Sequence, residues 1–129
     1  MSVGVASILA ECKRANVRRY VMQSGIGLSD GRELSCLNRL VIRASGQIFA
    51  AAVADKAAAQ RMTQQADLEW VIVRPVVLTA KSAKGRYTAG PLARVAPISP
   101  LSFSDCADCL LRAATDEPGW IGKVVNVGS

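Results

Sequence analysis

Histidine is missing from this chain altogether, and aromatic residues are few: two Trp, two Tyr and two Phe in 129 residues. Without histidine, the side chain most often used to move protons near neutral pH is not on offer. The four cysteines also have no imidazole with which to complete a mixed metal set. The few aromatics do not interleave with basic residues, so nucleic-acid binding is not expected despite a net charge of +6. No apolar run is long enough to span a bilayer. The stretch Val3–Ala10 lacks the basic leader and polar cleavage region of a signal peptide. The expectation is a cytoplasmic protein that makes no use of a membrane.

Half of the residues are apolar, which suffices for an ordinary core and one domain over residues 1–129. Basic residues crowd the first third: Lys13, Arg14, Arg18, Arg19, Arg32, Arg39 and Arg43 stand against Glu11, Asp30 and Glu33. Such a face could attract phosphates, although a solvated surface is the ordinary explanation. Cys106 and Cys109 share a helical pattern with Ala107, Leu110, Leu111 and Ala114, while Cys12 and Cys36 lie far from them. The pair reads as neighbours on a partly buried helix face, not as a redox or zinc motif, which would open a helix after a strand.

Apolar positions at helical spacing predict a helix over Val5–Ala15, closing at Asn16 with Lys13 and Arg14 in its last turn. Arg19–Gln23 reads as a strand that ends at the turn Ser24-Gly25. Helical patterning returns from Glu33 to Ala44 and again from Ile48 to Gln65, with Gly46 between them as a kink or a break. Glu69–Arg74 reads as a buried parallel strand that breaks at Pro75. Short strands are expected at Arg86–Thr88 and Val95–Ile98. Ser102 with Asp105 fits a capping box for a helix ending at Ala114 or Thr115, Pro118-Gly119 stops it, and Lys123–Val127 forms the last strand. Helices alternating with strands predict a three-layer α/β domain with right-handed crossovers and a parallel sheet.

Ligands of open parallel sheets sit at the carboxyl ends of the strands, which draws attention to Arg74. A charge that ends a buried strand needs an acceptor, and Asp105 is the expected partner. In the functional alternative, Arg74 and the exposed backbone of Val76 and Val77 hold a carboxamide or an anion. Lys56 lies among Ala50, Ala51, Ala52, Val53, Ala57, Ala58 and Ala59, so its ammonium must reach water or find a partner. Gly25-Ile-Gly27-Leu-Ser-Asp-Gly31 has the strand-then-helix context of a phosphate cradle, but its spacing is one residue too long for the dinucleotide fingerprint.

Six segments in order resemble the second half of the atypical short-chain dehydrogenase/reductases, the NmrA-like and flavin-reductase-like members of the Rossmann superfamily. They are Val17–Gly25, Asp55-Lys56, Leu68–Leu78 with its Arg74-Pro75 pair, Gly85-Arg86-Tyr87, Ile98-Ser99 with Asp105–Asp108, and Ile121–Gly128. The resemblance covers nearly the whole chain and does not extend to the family's glycine-rich phosphate loop. It implies a truncated Rossmann-like parallel sheet of about three main strands. NAD(P) contacts are implied from Ser24, Gly25, Lys56, Arg74, Pro75, Val76 and Val77, with Ser24 facing the nicotinamide end and Lys56 the ribose. Catalytic relatives carry a tyrosine where this chain has Ala52, so a proton donor is not evident.

The expectation is therefore a degenerate or non-catalytic NAD(P)-binding-fold protein, acting as a binding or interaction module and binding NAD(P) weakly or not at all. The alternative is an NAD(P)H-dependent reductase that completes its cofactor site with another chain. A nucleotide-like or small-molecule ligand is compatible with either. A homodimer is expected through the Val3–Ala15 helix and the Arg19–Gln23 strand, whose outer edge would otherwise lack a neighbour.

Overall fold

Val71, Ile72 and Val73 are fully buried at the centre of strand β2 (Glu69–Pro75), and the rest of the fold is arranged around them. The computed structural model describes residues 1–25, 36, 37, 40 and 50–129. Strand β1 (Arg19–Gln23) pairs with β2 in parallel, and β2 pairs in parallel with β6 (Lys123–Gly128). Strand β4 (Thr88–Pro91) runs antiparallel along β6, giving the order β1-β2-β6-β4. Two short strands, β3 (Leu78–Thr79) and β5 (Leu101–Ser102), form a separate parallel pair. The helices are α1 (Ser2–Arg14), α2 (Ala50–Gln65) and α3 (Phe103–Thr115), and a 3-10 turn spans Pro118–Trp120.

Because side chains alternate across a strand, the sheet has two distinct apolar faces. Met22 and Ile72 pack with Val5 of α1 and Ala59 of α2, joined by Tyr20, Trp70 and Val124. Val71, Val73, Val125 and Val127 pack on the other face with Cys106, Cys109 and Ala113 of α3 and with Trp120. This is the three-layer α/β arrangement expected from the sequence.

The expectation of uniformly right-handed crossovers needs correction. Strands β1, β2 and β6 are parallel and step across the sheet in one direction. Two crossovers of the same hand would put their helices on one face, yet α2 and α3 lie on opposite faces. The connection from β2 to β6 runs through β3, β4 and β5 before it reaches α3, so the rule for compact strand-helix-strand units does not govern it.

Local chemistry sets the element ends. Helix α1 closes with Asn16 in the left-handed region at φ 56°. The Val17 N–H donates to the Cys12 carbonyl at 2.9 Å and the Asn16 N–H to Lys13 at 3.3 Å, the paired bonds of a Schellman cap. Ser102 caps α3 by accepting the Asp105 N–H at 2.9 Å, as the capping-box reading requires. The expected strand at Arg86–Thr88 begins instead at Thr88, and residues 95–98 are not a strand. The segment Glu33–Ala44 and the kink at Gly46 lie outside the described residues, apart from residues 36, 37 and 40.

Both Cys106 and Cys109 are buried, more completely than expected. Burial pushes both thiols up, Cys109 to about 12. Three of the basic residues are paired locally: Glu69 accepts from Arg19 at 3.3 Å and lies 3.6 Å from Arg18, while Arg14 pairs with Glu11 at 2.5 Å.

Candidate functional site

The apolar row Met22, Ile72, Val124 crosses the three parallel strands in register. Two residues further along each strand, on the same face, the row becomes Ser24, Arg74, Asn126. Arg74 and Asn126 are register partners, and Ser24 continues the ladder by donating its N–H to the Val73 carbonyl at 2.7 Å. A hydroxyl, a guanidinium and an amide thus line the carboxyl edge of the sheet, where open parallel sheets bind ligands.

Each member has a different environment. Ser24 is 7% exposed, and its Oγ is buried without a hydrogen-bond partner among the described residues. A buried hydroxyl of this kind is costly unless something satisfies it. Asn126 is buried and donates from Nδ2 to the Ala93 carbonyl at 3.2 Å. Arg74 is half-buried, and its Nε approaches Gln60 Oε1 at 3.4 Å. Gln60 stands one helical turn after Lys56 on α2, and Lys56 itself is exposed. Among the described residues, a β-carbon added at Gly25 would meet nothing within 4 Å.

The expected Arg74–Asp105 ion pair is not formed. Arg74 shares the face of Ile72, whereas Asp105 belongs to α3 on the face of Val73. Asp105 instead accepts the Lys84 N–H at 2.9 Å, the Gly85 N–H at 3.1 Å and the Ser102 hydroxyl at 2.9 Å. The Lys84 amide, and with it the Ser102 and Gly85 donors, holds the carboxyl below its usual range against the opposing effect of burial. Asp105 is a bracket for the loop before β4.

The backbone of Val76 and Val77 is also committed. Val76 N–H donates to the Val127 carbonyl at 3.1 Å and Val77 N–H to Pro97 at 3.3 Å, while the Val77 carbonyl accepts from Leu101 at 2.9 Å. Pro75 and Val76 are buried, and only the Val77 side chain reaches the surface. Sequence reasoning missed Gln60 and the part Asn126 plays. A signal for Asn126 was available, since an amide among Val124, Val125 and Val127 interrupts a run that suits a buried strand.

A second polar cluster is structural. Arg112 stacks over the rings of Tyr87 and Trp120, at 5.7 and 5.2 Å from their centroids, and pairs with Glu117. Tyr87 donates to Asp108 at 2.5 Å, and burial followed by that bond pushes its phenol up to about 12. An open cleft of about 540 Å³ lies at the opposite end of the sheet, lined by Cys12, Lys13, Arg18, Asp67, Glu69 and Ile121 among others. Among the described residues, no group of three or more His, Cys, Asp or Glu could hold a metal ion, and no helix is long and apolar enough to cross a membrane.

The model of a family described as NAD(P)H-binding matches residues 2–117. The chain belongs to that NAD(P)H-binding family. Its fold is similar to a short-chain dehydrogenase/reductase from Veillonella parvula DSM 2008 in complex with NADP, with a TM-score of 0.80 at 21% identity over 99% of this chain and 58% of the other. It is also similar to ChuY, an anaerobillin reductase from Escherichia coli O157:H7, with a TM-score of 0.76 at 20% identity over 98% of this chain and 57% of that one. The oxidoreductase ylbE from Lactococcus lactis has a TM-score of 0.71 at 20% identity, covering 98% of this chain and 52% of its own. No curated protein matches. The chain thus spans a little over half the length of these solved structures, and at such identities the likeness establishes the Rossmann-like fold alone.

Proposed function

We propose that this chain forms the nicotinamide-side part of an NAD(P)-binding site and acts as a binding or interaction module without catalysing a reaction by itself. The carrying observation is the unpartnered, buried Ser24 Oγ, in a row with Arg74 and Asn126 at the carboxyl edge. A carboxamide or ribose hydroxyl presented there would satisfy Ser24, with Gly25 leaving room for its approach. Arg74 and Lys56 would supply positive charge for a ribose or phosphate. Pro75, Val76 and Val77 would contribute shape, since the two valine amides donate within the fold.

Weak dinucleotide binding is part of the proposal, since the row Ser24, Arg74 and Asn126 offers contacts to the nicotinamide side alone. The non-catalytic part of the proposal is supported by the state of the two tyrosines and by the lack of histidine. Tyr87 is held by Asp108 and Arg112, Tyr20 lies against the α1 and α2 packing of the sheet, and histidine is lacking. In the same reading the protein is cytoplasmic and works as a homodimer.

The test is backbone NMR of the full chain titrated with nicotinamide mononucleotide. Fast-exchange shifts confined to Ser24, Gly25, Gln60, Arg74 and Asn126, and lost in Ser24→Val, support the reading. Shifts elsewhere, or none at millimolar ligand, overturn it.

A further inference from the structure

Strand β1 is outermost on its side of the sheet and pairs with β2 alone among the described residues. Two bonds fix the direction of its backbone groups. The Arg18 carbonyl accepts from Glu69 N–H at 2.8 Å, and the Ser24 N–H donates to Val73 at 2.7 Å. In a parallel ladder, alternate residues turn both groups to the same neighbour, so Tyr20 and Met22 serve β2 while Arg19, Val21 and Gln23 turn theirs outward. Such an edge templates a further strand. No proline interrupts it, and the side chain of Arg19 is drawn back to Glu69 and to the Ala113 carbonyl.

We infer that this edge pairs with the same edge of a second copy, antiparallel about a two-fold axis at Val21. The inference rests on the homodimer proposed above and adds its geometry. The register centred on Val21 lets all three outward residues of each strand exchange bonds: Arg19 with Gln23 of the copy, Val21 with its own equivalent, and Gln23 with Arg19. The sequence of the strand selects a copy as occupant. In this register no like charges are opposed, Val21 meets Val21 on the α3 face, and Tyr20 stands opposite the already buried Met22 on the α1 and α2 face. Uncovered apolar surface lies on the preceding elements, with Val17 42%, Ile8 49% and Val3 80% exposed. The product is one sheet continuous through both copies.

Proline at position 21 separates assembly from folding, because the Val21 N–H points outward and an edge strand tolerates proline there. Sedimentation equilibrium of the full chain at micromolar concentration should give twice the 13.6 kDa chain mass, and Val21→Pro should give the chain mass with its far-UV circular dichroism retained. Oxidised Val21→Cys should form a dimer cross-linked at position 21 by mass spectrometry, to at least tenfold the level of any wild-type dimer linked through Cys12 or Cys36. A monomeric wild type overturns the homodimer itself. A wild-type dimer whose Val21→Pro variant stays dimeric, or, if that variant fails to fold, whose Val21→Cys variant gives no position-21 cross-link, overturns the register while leaving the homodimer standing.

Discussion

Gly128 and Val95 are so close that a β-carbon on the glycine would lie 2.7 Å from the valine Cβ. That contact and the Asn126–Ala93 hydrogen bond hold the segment after β4 over the carboxyl end of β6. Gly128→Ala should therefore destabilise the fold by about 1–3 kcal/mol through overpacking. Gly4→Ala, in a helix where the new methyl meets nothing within 4 Å among the described residues, should stabilise it by about 0.5–1 kcal/mol. Urea unfolding of both variants measures this, and changes of the same sign would refute the packing argument.

The acid stability of the protein should depend on Asp105. Its folded-state pKa lies below the unfolded value because the Lys84, Ser102 and Gly85 groups favour the carboxylate. Its contribution is thus fully present above the unfolded value of about 4 and is lost as pH falls through the lower folded value. Asp105→Asn should lower the melting temperature at neutral pH and shrink the difference from wild type under acid. A difference independent of pH would contradict this role.

The parallel core was legible in the sequence because its signals are local. Val71–Val73 is an apolar run, Val124, Val125 and Val127 form another that only Asn126 interrupts, and the Ser102 cap lies next to the helix it starts. The strand Thr88–Pro91 was not legible, since Gly90 and Pro91 disfavour strands and only distant pairing with β6 creates it. The misplaced partner for Arg74 had another origin. Alternation from the buried Val73 would have put Arg74 on the face opposite α3, so the information was present in the strand but not in the charge pattern. Gln60 carried no local signal, because only the docking of α2 on the sheet brings it to Arg74.

Thiol reactivity should divide the cysteines by burial. Cys36 is exposed and Cys12 half-buried, whereas Cys106 and Cys109 are buried with raised pKa values. A colorimetric disulfide reagent at pH 8 should titrate Cys36 and Cys12 in the native protein and the other two only on unfolding. Rapid native modification of Cys106 or Cys109 would reopen a redox reading of that pair.

Arg112→Lys should cost about 1–2 kcal/mol, since an ammonium cannot reproduce planar contacts with two rings while donating to both the Tyr87 hydroxyl and Glu117. Denaturant unfolding gives the loss, and the Trp120 fluorescence should shift to the red as the ring gains water. A variant with unchanged stability and emission would mean that the cluster does not anchor the Tyr87 loop to α3.

The claim that this chain carries the nicotinamide side of an NAD(P) site, without the means to hold a dinucleotide tightly by itself, is tested most directly by isothermal titration of the purified full chain with NADPH and NADH. The account predicts no saturable heat at micromolar cofactor, and any weak binding at higher concentration should be abolished by Ser24→Val. Micromolar or tighter affinity for either cofactor would contradict it.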